Sequence, residues 1–198
     1  MPTPSTNAET TRLRQHPERS VPEEAPEILT QGIVAHVGFA VDGKPHVFPF
    51  TYHYEAERPD RLYLHGSLTG TMLTHLASGA PVCIEVSLLD GLIYSKTALY
   101  HSMNYRSVVA FGRARAIDDE TEKRAVFTRM IGRYFKGRTE GRDYASPPKE
   151  HLDATALLEI TIEEWGAKAR RGGARGPTDN DPDAPGTSGV VDLRPERP

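Results

Sequence analysis

The chain has 198 residues, a net charge of −3 and a mean hydropathy of −0.51. This length is enough for one domain with an apolar core, and the weak negative charge excludes a general electrostatic attraction to nucleic acid or to an anionic membrane. The single cysteine, Cys83, excludes an intrachain disulfide and a cysteine-based zinc cage, and it indicates a reducing compartment.

The two ends of the chain differ in composition from its middle. Residues 1–26 are rich in Pro, Thr, Glu and Arg, and residues 170–198 are rich in Gly, Pro, Asp and Arg. Such segments bury too little apolar surface to offset the entropy of ordering them, so we predict two disordered tails around a folded domain at residues 27–169. We find no apolar leader and no apolar run near the ~20 residues of a membrane span, and therefore expect a cytoplasmic protein.

Short β-like runs joined by turns follow one another through the middle of the chain. The first two, Ile33–Val41 and His46–Tyr54, flank Asp42-Gly43-Lys44, which is typical of a hairpin turn. The other predicted elements are strands at Arg61–His65, Val82–Leu89, Tyr105–Ile117 and Leu157–Ile162, and helices at Gly70–Leu76 and Glu120–Tyr134. Because most consecutive strands are joined by short turns, this order predicts a mainly β (α+β) fold, an antiparallel barrel with helices at its margin.

The turn between the third strand and the first helix reads His65-Gly-Ser-Leu-Thr-Gly-Thr71. A strand that ends in small and hydroxylated residues before a helix leaves backbone N–H groups free, and together with the hydroxyls of Ser67, Thr69 and Thr71 they can bind a phosphate monoester. The alternative is an ordinary helix N-cap. The sequence contains neither a Gly-Lys-Ser/Thr element nor Gly-x-Gly-x-x-Gly, which excludes the P-loop and the Rossmann fingerprint.

Several motifs taken in order resemble the split-barrel flavoproteins of the pyridoxamine 5′-phosphate oxidase group, and most closely the subgroup that includes nitroimidazole-resistance proteins. The segments that carry the resemblance are Val34–Phe39, Val47–Tyr52, Leu62–Gly70, Asn104–Arg113 and Glu163–Arg170. The resemblance implies a six-stranded antiparallel split β-barrel with flanking helices. It also implies FMN as cofactor, a homodimer with FMN at its interface, and a small-molecule substrate.

The resemblance further implies where the parts of FMN would lie. The ring would lie beside one strand, the phosphate would bind at the turn, and the partner subunit would contribute a third segment. The corresponding residues are Pro49, Phe50, Thr51 and Tyr52 for the ring; His65, Gly66, Ser67, Thr69, Gly70 and Thr71 for the turn; and Asn104, Tyr105, Arg106 and Ser107 from the partner. The planar fork of Arg106 suits phosphate oxygens, although pairing with a nearby carboxylate is its alternative.

His65 occupies the place where nitroimidazole-resistance proteins have a histidine near the flavin, which makes it the candidate catalytic residue; its alternative is a strand-end histidine bonded to backbone. The histidines His36, His46 and His53 lie on adjacent strands, but without a carboxylate or cysteine at a supporting spacing we expect no metal site. The turn carries no cation, unlike that of the true pyridoxamine phosphate oxidases, and the tail at Gly186–Leu193 replaces a more apolar closing motif of the relatives.

The function that this resemblance implies is an FMN-dependent oxidoreductase. It would pass electrons or a hydride from a reduced nicotinamide to a small organic acceptor, with nitro compounds as one acceptor class. Two alternatives stay open: a non-catalytic protein that binds or senses flavin, haem or a related ligand, and an enzyme that uses a deazaflavin coenzyme in place of FMN.

Overall fold

The computed structural model describes residues 3–6 and 9–193. Its strands are β1 (Val34–Val41), β2 (Lys44–Tyr54), β3 (Arg61–Ser67), β4 (Pro81–Tyr94), β5 (Ser102–Ala116), β6 (Thr155–Arg170) and β7 (Gly189–Asp192). They form one antiparallel sheet in the order β1-β2-β3-β6-β5-β4-β7, and an additional pairing of β1 with β4 closes the first six strands into a ring. The predicted six-stranded antiparallel barrel is therefore confirmed.

The ring is closed over only short stretches at two of its seams. β1 pairs with β4 only where His36–Gly38 faces Cys83–Glu85, and β2 pairs with β3 only where Tyr52–Tyr54 faces Leu62–Leu64. The earlier part of β2, residues 44–51, pairs with β1 on one side, and within the described residues no strand pairs along its other side. Because unpaired strand edges expose backbone N–H and C=O groups, this edge is available to a ligand.

The core of the barrel is built from alternating residues of its strands, as the period of two requires. In β1, Ala35, Val37 and Phe39 are buried and alternate with more exposed neighbours. Trp165 of β6 belongs to the same cluster, with 3% of its surface exposed. This burial of apolar surface is the main favourable contribution to folding.

Four α-helices flank the barrel: α1 (Ala25–Gln31), α2 (Thr71–Ala77), α3 (Glu120–Tyr134) and α4 (Lys149–Asp153). The carboxylate of Asp119 caps α3 by accepting a hydrogen bond from the Glu122 N–H group. The helix lies on the outside of the barrel, where Val126 packs with Tyr63 of β3 and Leu157 of β6. Among the described residues, no helix combines the length and the apolar character that crossing a membrane requires.

Arg133 near the end of α3 joins three elements. Its guanidinium donates to the carbonyl oxygens of Leu29 at 2.9 Å and Gly32 at 2.7 Å, at the carboxyl end of α1. It also donates to the Tyr52 carbonyl oxygen of β2 at 3.1 Å and lies 4.8 Å from the centroid of the Tyr52 ring. A cation at a helix C-terminus binds the carbonyl groups that have no partner within the helix. Arg133 thereby fixes α1 against the barrel.

The segments that composition predicts to be disordered contact the barrel in the structure. At the amino end, the N–H group of Ser5 donates to the Glu163 carbonyl oxygen at 3.0 Å. At the carboxyl end, β7 pairs with Gly91–Tyr94 of β4, and the Asp179 carboxylate accepts from Ser95 Oγ at 2.9 Å and from the Lys96 N–H group at 2.8 Å. Composition does not reveal these contacts because polar groups rather than apolar side chains make them. The domain boundaries themselves stay a prediction.

Candidate functional site

The part of β2 predicted to lie beside a flavin ring is the part with the free edge. Pro49 and Thr51 are exposed there and Phe50 is half-buried. Tyr52 is fully buried, its hydroxyl donates to the Leu29 carbonyl oxygen at 2.6 Å, and burial raises its pKa to about 12. The Tyr52 side chain therefore belongs to the core, and Tyr52 lies outside the free edge because it pairs with Leu64 of β3 and its carbonyl oxygen accepts from Arg133.

The predicted phosphate turn lies against the same strand. A Cβ atom at Gly66 would lie 2.9 Å from Leu73 Cδ1 and 3.7 Å from Phe50 Cε1, so a glycine lets the turn approach both. The hydroxyl oxygens of Ser67 and Thr69 are exposed and 2.9 Å apart. The cap residue of α2 is Gly70, and no side chain caps the helix. The hydroxyls of Ser67 and Thr69 therefore do not act as an N-cap for α2.

His65 faces away from this turn, into a cavity of about 590 Å³ on the outside of the barrel. The cavity lies between α3, the loop at residues 135–148 and α4. Its apolar lining includes Phe127, Ile131 and Phe135, and the Phe127 ring meets the imidazole edge-on at 5.4 Å between centroids. We call this space the His65 cavity.

The imidazole of His65 is held neutral and one of its nitrogens has no partner. Burial alone lowers its pKa, which favours the uncharged ring. Its Nδ1 atom is buried and makes no hydrogen bond. Because buried polar atoms in native proteins nearly always have partners, an unpaired one beside a cavity indicates a site for a ligand or a water.

Two arginines lie at the border of the His65 cavity and hold its loop. Arg124 donates from Nη1 to Ser146 Oγ at 2.8 Å and to the Pro147 carbonyl oxygen at 3.0 Å. Arg138 donates to the Asp143 carbonyl oxygen at 2.6 Å. The cavity therefore joins an imidazole and apolar walls to charged groups of both signs, since Glu140 also lines it and Arg124 is paired with Glu120 at 2.8 Å, a combination that suits a flat, largely apolar ligand.

Arg106, the predicted phosphate ligand, is already paired within its own chain. Its Nε and Nη2 atoms donate to the two carboxylate oxygens of Asp90 at 2.9 and 2.7 Å, and Nη1 donates to Gln31 Oε1 at 2.9 Å. Both members of the ion pair are largely buried, with 15% and 13% of their side chains exposed. In the structure Arg106 therefore makes the alternative interaction named above, an ion pair with a nearby carboxylate.

The neighbours of Arg106 on β5 are also engaged. Asn104 donates from Nδ2 to the Gly172 carbonyl oxygen at 3.0 Å and accepts from Arg170 at 2.9 Å. Ser107 is buried, and the Tyr105 ring lies 5.5 Å from Lys168 Nζ. Of this segment, Asn104 and Arg106 border a charged cavity of about 410 Å³, which we call the Arg106 cavity. The structure thus separates this segment from the turn and from the His65 cavity.

The three histidines considered for zinc have different surroundings. His36 Nδ1 lies 3.0 Å from Glu85 Oε2, and His53 Nε2 lies 2.9 Å from Glu55 Oε1. The His46 ring stacks on Phe39 at 5.2 Å between centroids.

Sequence reasoning identified His65 but missed the cavity that it borders. The walls of that cavity come from α3 and from a loop about 70 residues further along the chain, which single-sequence patterns do not connect with His65. One signal was present, since Phe127, Ile131 and Phe135 recur every four residues and lie on one face of a helix. Val126 and Met130 already supply the buried core face of α3, so this second apolar stripe required another partner.

Comparison with known proteins places this architecture in a family. The family model described as pyridoxamine 5′-phosphate oxidase matches residues 22–169. The chain belongs to this family. The resemblance inferred from the motifs is therefore confirmed, and with it the fold. The comparison with curated protein sequences gave no match.

Two solved structures are similar to this chain over most of its length. The flavocytochrome Anf3 from Azotobacter vinelandii is 29% identical, covers 98% of this chain and 91% of its own, and has a TM-score of 0.83. An FAD and haem binding protein from Mycobacterium smegmatis is 30% identical, with coverage of 88% and 84% and a TM-score of 0.78. A candidate 5-nitroimidazole antibiotic resistance protein from Bacteroides thetaiotaomicron is 24% identical, with coverage of 76% and 86% and a TM-score of 0.60, and it shares the fold.

Proposed function

We propose that the chain is a flavin-binding oxidoreductase that acts as a homodimer. The observation that carries the proposal is the free edge of β2 at residues 44–51, which lies beside the turn at Gly66–Thr71 in a member of a flavin-binding family. The names of the two similar proteins support the binding of a flavin, because one is a flavocytochrome and the other an FAD and haem binding protein.

The residues present fit a flavin in three respects. The unpaired edge offers backbone groups to the polar edge of a planar ring, and Pro49 is tolerated there because an edge strand does not need its N–H group. The exposed hydroxyls of Ser67 and Thr69 offer donors to a phosphate. Gly66 avoids a clash with Leu73 of α2, which lets the turn lie in contact with Phe50 of β2. A bound flavin supplies the redox chemistry, and these residues bind and orient it.

A second copy of the chain is the proposed partner. Large apolar side chains are exposed on the barrel, among them Ile33 at 61%, Val47 at 64% and Leu92 at 44%. Exposed apolar side chains of this size are what a partner subunit would cover. Because Arg106 and Asn104 are engaged within their own chain, we propose that the partner's contribution to the flavin comes from the surface of this segment rather than from the Arg106 fork.

The spectrum of the purified protein tests this proposal. We expect a yellow protein whose released cofactor is a flavin by mass spectrometry, and whose visible absorbance bleaches on anaerobic addition of NADH or NADPH. A flavin that binds but that neither nucleotide reduces favours the non-catalytic alternative, and a released deazaflavin identifies the other coenzyme. A colourless protein that takes up neither FMN nor FAD contradicts the proposal. Nitro compounds are the first acceptors to try.

The His65 cavity supports a second function, the binding of a haem. Its volume of about 590 Å³, its apolar lining and its neutral imidazole match the needs of a haem with a histidine ligand. Arg138 in its lining offers a positive charge to a propionate group, and Arg124 offers one in competition with its ion-pair partner Glu120. A bound haem supplies one-electron chemistry. His65 would hold its iron, and Phe127 and Ile131 would exclude water from its faces.

Titration of the apoprotein with haemin tests the second function. We expect a sharp absorption band near the usual haem wavelengths at one haem per chain, and its loss or displacement in His65→Ala. The matched control is His75→Ala, which removes another histidine with a buried, unpartnered ring nitrogen from a different part of the chain. Equal haem spectra in wild type and His65→Ala contradict this assignment.

A further inference from the structure

An aromatic surface lies on the free part of the β1–β2 hairpin. The rings of Phe39 and His46 are 5.2 Å apart between centroids with 14° between their planes, and those of Phe39 and Phe48 are 6.0 Å apart with 23°. The planes of His46 and Phe48 differ by 10°. Phe48 has 44% of its surface exposed, while Phe39 is buried beneath it. The three near-parallel rings lie on the β1–β2 hairpin, where the outer edge of β2 has no neighbouring strand. They form a surface suited to another flat ring.

The aromatic surface lies next to the phosphate turn. Phe48 and Phe50 are two residues apart on β2 and therefore point to the same side, and Phe50 is the residue that faces Gly66 of the turn. At the other end, the His75 ring of α2 lies 5.5 Å from the Phe39 ring. His75 is four residues beyond Thr71, which corresponds to about 6 Å along a helix axis. Its buried Nε2 atom has no hydrogen-bond partner.

We propose that the aromatic surface of His46 and Phe48, supported from below by Phe39, binds the adenine of a flavin dinucleotide, so that the chain selects FAD over FMN. The inference rests on the proposed flavin site. A mononucleotide ends at the phosphate, whereas a dinucleotide continues beyond it, and the described structure offers these rings within one short helix of the turn. Purines stack on aromatic side chains without requiring a specific hydrogen bond.

The proposal is tested by measuring the dissociation constants of FMN and FAD for the apoprotein through flavin fluorescence. We expect the wild type to bind FAD more tightly, and Phe48→Ala to weaken FAD binding about tenfold or more because a stacking partner is lost. FMN binding should be unchanged in the same variant. The matched control is Leu99→Ala, which removes a large, 94% exposed apolar side chain outside the proposed flavin site and should leave both constants unchanged.

Three further results decide the case. Phe48→Trp should retain the preference for FAD, and His46→Ala should reduce it while circular dichroism shows an intact fold. Equal wild-type affinities for FMN and FAD, or equal losses of both in Phe48→Ala, overturn the inference and leave the flavin site standing. If sedimentation shows that Phe48→Ala dissociates a dimer and weakens both flavins together, a second copy covers the surface instead. A wild-type apoprotein that binds neither flavin overturns the proposed function as well.

Discussion

The His65 cavity and the Arg106 cavity are of comparable size, about 590 and 410 Å³, and each contains a residue that the sequence singles out as a site candidate. They differ in how their polar groups are satisfied. The Arg106 guanidinium has carboxylate and amide partners within the chain, whereas the His65 Nδ1 atom has none. Most of the residues that border the Arg106 cavity are charged, of both signs, whereas the His65 cavity has large apolar side chains in its walls and fewer charged groups.

This difference separates a structural ion pair from a site that is prepared for a ligand. A charge that is fully paired inside its own chain contributes to folding, and a ligand that competes for it must first break that pair. An unpaired buried nitrogen costs stability in the free protein and is explained when a ligand satisfies it. We therefore predict that Arg106 contributes to the stability of the fold and that His65 contributes to ligand binding.

The largest expected effect that tests this comparison is that of Arg106→Met on folding. The substitution leaves the Asp90 carboxylate buried without its partner, and we expect it to lower the free energy of unfolding by about 2–4 kcal/mol. Urea denaturation measures this loss. If Arg106 instead serves mainly as a phosphate ligand, the variant keeps its stability and loses flavin affinity.

A double-mutant cycle with Asp90→Asn provides the control for that experiment. Because the two residues form one ion pair, the loss in the double variant should be smaller than the sum of the two single losses. Additive losses would show that each residue acts separately and would contradict the structural assignment of the pair.

Part of the fold could be predicted from the sequence because alternation within single strands reports their buried face. The prediction ended the last strand at Ile162, whereas β6 continues to Arg170. The inward residues of that extension include Ala167 and Ala169, whose small side chains carry little hydrophobic signal, and Glu163, Glu164 and Lys168 lie between and beside them. Helix α1 was missed because it has only seven residues, one of them a proline, and such a short segment does not show a recognisable helical period.

The site was less predictable than the fold because its parts meet only through tertiary contacts. The hydroxyl-rich turn at Ser67–Thr71 could be found from local composition alone. The partners of Arg106 could not, since Gln31 lies 75 residues and Asp90 16 residues earlier in the chain. Alternation directs the Tyr52 side chain to the core, and the place of this residue beside a flavin ring stays a prediction.

A smaller effect is expected from His65→Leu in the ligand-free protein. The substitution removes an unpaired buried nitrogen, which offsets the loss of the edge contact with Phe127, so we expect the free energy of unfolding to change by no more than about 1 kcal/mol. Urea denaturation of the apoprotein beside Arg106→Met gives the direct contrast. A loss as large as that of Arg106→Met would mean that His65 is itself a structural residue.

The smallest effect concerns the pH dependence of stability, and it sharpens the assignment of His65 further. Burial lowers the pKa of His65, and burial is also the largest influence that lowers the pKa of His53. The unfolded chain, in which the histidine pKa is about 6.5, then binds more protons than the folded protein as the pH falls. The stability contributed by the neutral rings is therefore fully present above that pKa and is lost as the pH falls through it toward the lowered values.

Denaturation between neutral and mildly acidic pH should show this decline, and His65→Leu should reduce its slope while leaving the contribution of His53. Phe127→Leu keeps the imidazole and serves as the control. An unchanged slope in His65→Leu would show that the ring is protonated as readily in the folded protein as in the unfolded chain, which would remove the basis for a neutral imidazole in the cavity.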